Sequence, residues 1–337
     1  MAAEASKRGT CAVLALTQGG CDLGQRLAGA LGGDFFACKG RLHEVFTQVW
    51  REYRQIVCIM ATGIVVRTIA PLLEDKYRDP AIVVCDEQGR FAISLISGHL
   101  GGANSLAERV AAASGGRAVL TTASDVLGLT ALDLWCRDLG LRVGDKSAFT
   151  SAMGRLVDQG SLAVWSGCPL PPLPPDLQLT TDREAADLLI TARIDDATGA
   201  ALLHPPSLVF GIGCNRGTPA TAIARAVAAT CAQHQLAPEA IARLASIDLK
   251  QDEQGLLEFA RRQDLDIDFF TSNQLNRVEG VGASPVVERA TGAKAVAEPA
   301  ALLSAGPGST LLVGKMKWTD VTTAVAEMRD PLGRKVV

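Results

Sequence analysis

"AIVVCDEQGRFAISLISGHLGGANSLAERV", residues 81–110, sets the expectation for the fold. Two apolar runs flank Asp86-Glu87-Gln88-Gly89, which reads as a hairpin between two strands. The second run ends at a turn rich in glycine that holds one histidine, and an amphipathic helix follows. Elsewhere strands alternate with helices. A hairpin set in such a chain implies an α/β fold whose sheets are mixed, mostly parallel and flanked by helices.

Upstream, "TCAVLALT" reads as a buried strand, "QGGCDLG" as a turn, "QRLAGAL" as a helix and "DFFAC" as a strand. "RLHEVFTQVWREY" carries Leu42, Val45, Phe46 and Val49 at helical spacing, "RQIVCIMA" is a strand, and "TGIVVRTIAPLL" opens a helix after Gly63. Downstream the composition shifts near residue 141. "KSAFTSAMGRLVDQG" is a helix, "SLAVWSG" a strand, and "EAADLLITARI" a helix edge followed by a strand, with "CPLPPLPPDLQ" as a stiff surface loop. Residues 195–207 read as a linker that holds His204 in a loop. A third unit follows, with strands "LASIDL", "LDIDFF" and "TLLVGK" and helices "GLLEFARR" and "EPAALLSA". Thr218-Pro219 and Ser284-Pro285 each place a capping hydroxyl before a proline at the first helical position. Three consecutive α/β units are therefore expected: residues 1–140, a small unit at 141–205 and a third at 206–330.

Composition narrows the function. The chain has 337 residues, 48% of them hydrophobic and 20% charged, which suits a globular protein with real cores. A formal net charge of −3 argues against a nucleic-acid binder, although a local Arg/Lys cluster can still receive an anion. No apolar run approaches the ~20 residues that span a bilayer, and the start lacks a signal-peptide core. Nine cysteines stand without CxxC spacing or a Cys/His cluster, so no metal site is expected and a reducing cytoplasm fits.

Chemistry is expected at strand ends. In "SGHLGGAN", Gly98, Gly101 and Gly102 remove side chains near a helix N-terminus, Asn104 can cap that helix, and His99 can exchange a proton near neutral pH. The competing reading is a tight turn with His99 in solvent. "ATGIVVR" offers a similar turn, with Gly63, Thr62 as a cap and Arg67 facing an anion. "GIGCNRGTP" fails as a dinucleotide fingerprint because Arg216 fills the third glycine position; Gly213 and Arg216 suit an anion better. Cys214 reads as an inert turn cysteine. Asp248 with Lys250, and Lys315 with Lys317, end two further strands and could converge with Arg216.

The stretch from "ATGIVVR" through "SGHLGGANSLAERVA" resembles the N-terminal signature of the CbiG family, the cobalt-precorrin-5A hydrolases of anaerobic cobalamin biosynthesis. "VFGIGCNRGTP", "LASIDLKQDEQGLLEFA", "AVAEPAALLSAG" and "LLVGKMK" resemble that family's C-terminal domain, which also occurs alone in CobE-like proteins. The resemblance covers roughly residues 55–325 and is weakest in the middle. Asn215 departs from it where a second basic residue is expected, leaving Arg216 as the only charge of its turn.

What the resemblance implies is a hydrolase. Water opens a δ-lactone on ring A of a cobalt-bearing corrinoid intermediate, and the bridging carbon leaves as acetaldehyde. It implies no resident cofactor, since cobalt arrives with the substrate, and it makes other corrin-pathway enzymes candidate partners. Catalysis would fall to His99 as base or proton donor, with Asp248 second. The amides around Gly101 and Gly102 would receive the oxyanion, and Arg67, Arg216, Lys315 and Lys317 would grip carboxylates. An interdomain cleft would suit so large a ring. Two rivals are a non-catalytic corrinoid carrier, which binds pigment and releases no acetaldehyde, and a nicotinamide-dependent oxidoreductase.

Overall fold

The computed structural model describes residues 9–75, 78–194 and 199–333. The chain divides into two compact units, residues 1–134 and 135–337.

The first unit is built on β1 (Gly9–Ala15), β2 (Asp34–Ala37), β3 (Tyr53–Ile59), β4 (Ala81–Cys85), β5 (Phe91–Ile96) and β6 (Arg117–Val119), in the order β2-β1-β3-β4-β5-β6. The first four run parallel, whereas β5 is antiparallel to β4 and β6 parallel to β5. The helices are α1 (Gln18–Leu31), α2 (Leu42–Glu52), α3 (Thr62–Ile69), α4 (Ala103–Ser114), α5 (Ala123–Leu127) and, entering the end of the unit, α6 (Leu132–Asp138). Successive side chains of β1 alternate faces. Cys11, Val13 and Ala15 pack with Leu23 and Leu27 of α1 and Leu106 and Val110 of α4, while Ala12 and Leu14 pack with Phe46 and Val49 of α2 and Val65 and Ile69 of α3. Each large apolar side chain taken from water contributes about 1.5–3 kcal/mol, so the two faces dominate the stability of this unit.

"QGGCDLG" is not a turn. α1 begins at Gln18, with the Thr17 hydroxyl accepting the Gly20 amide. Its glycines serve close packing: a Cβ on Gly20 would lie 3.3 Å from Ile59 and one on Gly24 2.6 Å from the Phe35 ring. Thr62 is the first residue of α3 and not its cap, a position held by Ala61 without a side-chain bond.

In the second unit one sheet comprises β7 (Arg142–Val143), β8 (Leu162–Ser166), β9 (Leu177–Leu179), β10 (Leu188–Ile190) and β11 (Ala201–His204), ordered β7-β11-β10-β8-β9. Helix α7 (Lys146–Gln159) starts at Asp145, whose carboxylate accepts the Ser147 and Ala148 amides. Two expectations change here. Residues 184–187 turn and are not a helix edge, because Asp187 is drawn to the sheet, its carboxylate accepting from the Arg155 guanidinium and the Ala163 amide. His204 closes strand β11 and is 2% exposed, with Nδ1 2.7 Å from the Thr191 carbonyl oxygen. The linker therefore contains a strand; its residues 195–198 lie outside the described ones.

The other sheet of this unit comprises β12 (Leu208–Cys214), β13 (Ile241–Ile247), β14 (Asp266–Phe270), β15 (Thr310–Lys317) and β16 (Val321–Glu327), ordered β14-β13-β12-β16-β15. β16 adds a strand that the sequence reading does not contain, and it lies antiparallel to both β12 and β15. Helices α8 (Ala220–Gln233), α9 (Gln254–Gln263), α10 (Ser272–Leu275), α11 (Pro285–Thr291) and α12 (Ala297–Ala305) complete it. Thr218 does not cap α8. Its hydroxyl donates to the Asn215 carbonyl at 2.8 Å and the cap position is Pro219. Ser284 does precede α11, without a side-chain bond. At Gly211 a Cβ would stand 1.8 Å from the Ala297 carbonyl oxygen, so this glycine lets α12 lie directly on the sheet. Among the described residues no helix is long and apolar enough to cross a membrane.

Candidate active site

The turn after β5 is tied by its own backbone. Ser97 adopts a left-handed conformation at φ 58° and Gly102 at 86°. The amides of Gly102, Ala103 and Asn104 donate to the carbonyls of His99, Ser97 and Gly98. A Cβ on Gly101 would lie 2.3 Å from Ser97 Cβ, and one on Gly98 2.8 Å from Asn104 Oδ1. These glycines therefore permit the fold of the turn, and the Gly102 amide is already engaged. Asn104 does not cap α4, whose cap is Gly102. It is buried, accepts from Ser94 Oγ at 2.6 Å, and donates to Thr122 Oγ1 at 3.2 Å and Asp125 Oδ2 at 2.6 Å.

His99 is not in solvent. Its side chain is 15% exposed, with Nδ1 3.2 Å from Asp133 Oδ1 and Nε2 3.2 Å from Asp125 Oδ2. The hydrogen bond to Asp133, opposed by partial burial and aided by Asp125, raises the His99 pKa above its ordinary 6.5. Burial pushes Asp133 upward, but its bond to His99 and backbone donors outweigh this and hold it below the usual carboxylate range. Two carboxylates facing the two ring nitrogens thus favour the protonated imidazole over the neutral one. Ser124 Oγ lies 3.3 Å from the same Nε2. Ser124, His99 and Asp133 have the connectivity of a nucleophile, base and orienting acid. Asp125 defeats that use, because a nitrogen whose proton faces a carboxylate cannot take one from serine. Asp125 and Asp133 are absent from the sequence-derived set; the available signal was Asp125 in the first turn of a helix following "TTA".

The two glycine turns of this unit lie at opposite ends of the strands. Ile59, just before the turn containing Thr62 and Gly63, pairs with Cys85, and Cys85 with Ala92, whereas β5 ends at Ile96 opposite Ile82. The hairpin reverses direction, so a turn after β5 opens where β3 and β4 begin. Arg67 is exposed and folds back to donate to the Gly63 carbonyl at 3.1 Å. Thr62, Gly63 and Arg67 therefore do not join His99.

In the second unit, part of the expected convergence occurs. β15 runs parallel to β12 through the intervening β16, so the carboxyl ends of β12, β13 and β15 share one edge. There a pocket of about 260 Å³ is lined by Gly213, Cys214, Lys250, Lys315 and Trp318, with Val286 and Val287 of α11 among its apolar residues. Lys317 is exposed and outside it, and Asp248, half-exposed in the 3-10 turn after β13, does not line it. Arg216 is also outside, and its Nη1 donates to Asp252 at 2.7 Å, so the one charge of its turn is already paired. Burial raises the Cys214 pKa despite Lys250, leaving an unreactive thiol. The pocket joins two ammonium groups and the Asp320 carboxylate to an apolar wall.

Comparison with known proteins adds identity to this geometry. Residues 44–125 match the family model for the cobalamin synthesis G N-terminal domain, 130–205 that for the cobalamin biosynthesis central region, and 208–326 that for the cobalamin synthesis G C-terminus. The chain is 35% identical to the cobalt-precorrin-5A hydrolase of Priestia megaterium, across 85% of this chain and 82% of that protein. It is 34% identical to the protein of the same name from Salmonella typhimurium strain LT2, across 89% and 94%. Protein CobE of Sinorhizobium sp is 32% identical over 35% of this chain and 79% of its own length. With all three regions matched in order, and a third of positions shared over most of two relatives, the chain belongs to the CbiG family of cobalamin biosynthesis.

Proposed function

We propose that this hydrolase of cobalamin biosynthesis opens the ring A lactone of cobalt-precorrin-5A with His99 acting as an acid first and a base second. The reading rests on one observation: both ring nitrogens of His99 face carboxylates at 3.2 Å. Water adds to the lactone carbonyl carbon, and the ring C–O bond breaks. The Asp125 side chain, still one-third exposed, is the group that takes the proton from water. His99 gives its proton to the freed oxygen, leaving an imidazole that Asp133 keeps oriented. The neutral imidazole then takes that proton back. The resulting alkoxide collapses to a carbonyl, the C–C bond to the macrocycle breaks, acetaldehyde leaves, and the electron pair passes into the conjugated cobalt-bearing ring. The sequence leaves His99 as base or proton donor with Asp248 as the second candidate base; this reading gives His99 both roles in turn and the first proton transfer from water to Asp125.

Lys250 and Lys315 suit an anionic substituent, because two ammonium groups line one pocket beside an apolar wall. The reading needs no resident cofactor, since cobalt enters as part of the substrate. All nine cysteines are free thiols, in keeping with a reducing cytoplasm. Anaerobic incubation of the purified protein with the cobalt-bearing lactone, with acetaldehyde measured over time, tests the proposal. Catalytic release supports it; tight pigment binding without acetaldehyde supports the carrier instead.

A further inference from the structure

Glu253 is 3% exposed, and the chemistry above makes no use of it. It stands at the N-cap of α9, yet its side chain does not cap that helix. Instead Oε1 accepts the Gly217 amide at 2.7 Å and Oε2 accepts from the Lys250 ammonium at 3.2 Å, with Arg216 Nη1 3.9 Å from the same oxygen. A buried carboxylate persists only when it is paired and hydrogen-bonded, and here its partners come from two segments that border one pocket. Gly217 ends the turn that follows β12, with φ 78°, and Lys250 ends the 3-10 turn after β13. A second contact locks the same turn, since a Cβ on Gly255 of α9 would lie 1.9 Å from the Thr218 carbonyl oxygen. Lysine has a long flexible stem, and an unanchored ammonium would spread over many rotamers. The side chain of Lys250 is only 14% exposed.

We propose that Glu253 is a positioning residue: it fixes the Lys250 ammonium at the wall of the pocket and joins that lysine to the Cys214–Gly217 turn. This inference rests on the reading that Lys250 meets an anionic group of the substrate. The test is a double-mutant cycle with K250Q, E253Q and the pair, following acetaldehyde release against lactone concentration together with thermal melting. K250Q is expected to raise KM about tenfold, the scale of one charged hydrogen bond. E253Q, whose amide oxygen still accepts from Gly217, is expected to raise KM by a similar factor with kcat within roughly twofold. The double variant should be no worse than K250Q, because residues acting as one unit are not additive. If E253Q melts early, E253D keeps the charge but withdraws it from Lys250, and it carries the same expectation. Unchanged KM in the Glu253 variants beside a raised KM in K250Q overturns the positioning role, as do multiplicative effects. Unchanged KM in K250Q overturns the reading of the pocket itself, and this inference with it.

Discussion

Nδ1 of His99 lies 3.2 Å from Oδ1 of Asp133, with both side chains 15% exposed. Asp125 stands at the other ring nitrogen, so the histidine is bracketed by acceptors that favour its doubly protonated form and raise its pKa. In the proposed mechanism this histidine begins the reaction as an acid.

His99→Gln removes that acid while keeping a polar side chain of similar reach. Acetaldehyde release should fall about 10²–10⁴-fold, the usual contribution of positioned proton transfer. Corrinoid binding, followed by absorbance titration, should be retained. Near-normal turnover would remove His99 from the mechanism.

The pH profile should show turnover declining as pH rises through the His99 pKa, which lies above 6.5. Asp133→Asn takes away the largest cause of the upward shift and should move that decline to lower pH. Stability follows the same pair. His99 has a raised folded pKa, so its contribution is complete below 6.5 and is lost as pH rises through the folded value. Asp133 is depressed, so its contribution is present above 3.8 and is lost as pH falls through its folded value. Thermal melts should therefore show Asp133→Asn most destabilising between those limits, with the difference shrinking on either side.

Asn104→Ala should destabilise the first unit by about 1–3 kcal/mol, the scale for leaving buried polar partners unmet. The side chain serves Ser94, Thr122 and Asp125 together, so its loss leaves three groups short of one partner each. Urea titration reads the loss, and a difference near zero would mean that the turn relaxes without cost.

The same chemical change should have opposite signs at two glycines. Gly211→Ala places a methyl 1.8 Å from the Ala297 carbonyl oxygen and must push α12 off the sheet, a loss of about 1–3 kcal/mol or more. Gly154→Ala lies within α7 with nothing inside 4 Å, and should gain about 0.5–1 kcal/mol from helix propensity. Paired thermal melts compare the two.

Much of the architecture is visible locally. The alternation in "CAVLA", the helical spacing of Leu42, Val45, Phe46 and Val49, and the Asp86–Gly89 turn each report their own element, because backbone period and side-chain direction are short-range properties. Elements whose glycines answer to a distant neighbour are not legible locally. Gly20 and Gly24 look like a turn until Ile59 and Phe35 press on them. β16 is built largely from Thr and Ala, too weak an apolar signal to mark a central strand.

The α/β alternation, the hairpin and the placement of His99 in a glycine turn before a helix are all encoded locally. What that histidine meets is set by packing between distant segments. Asp125 and Asp133 reach it through packing that no local spacing encodes, and the antiparallel course of β5 carries the turn to the end of the strands opposite Gly63. The physical reason is range: periodicity is set within a few residues, whereas strand direction, and with it the set of side chains that can share a proton, is set by contacts between segments far apart in the chain.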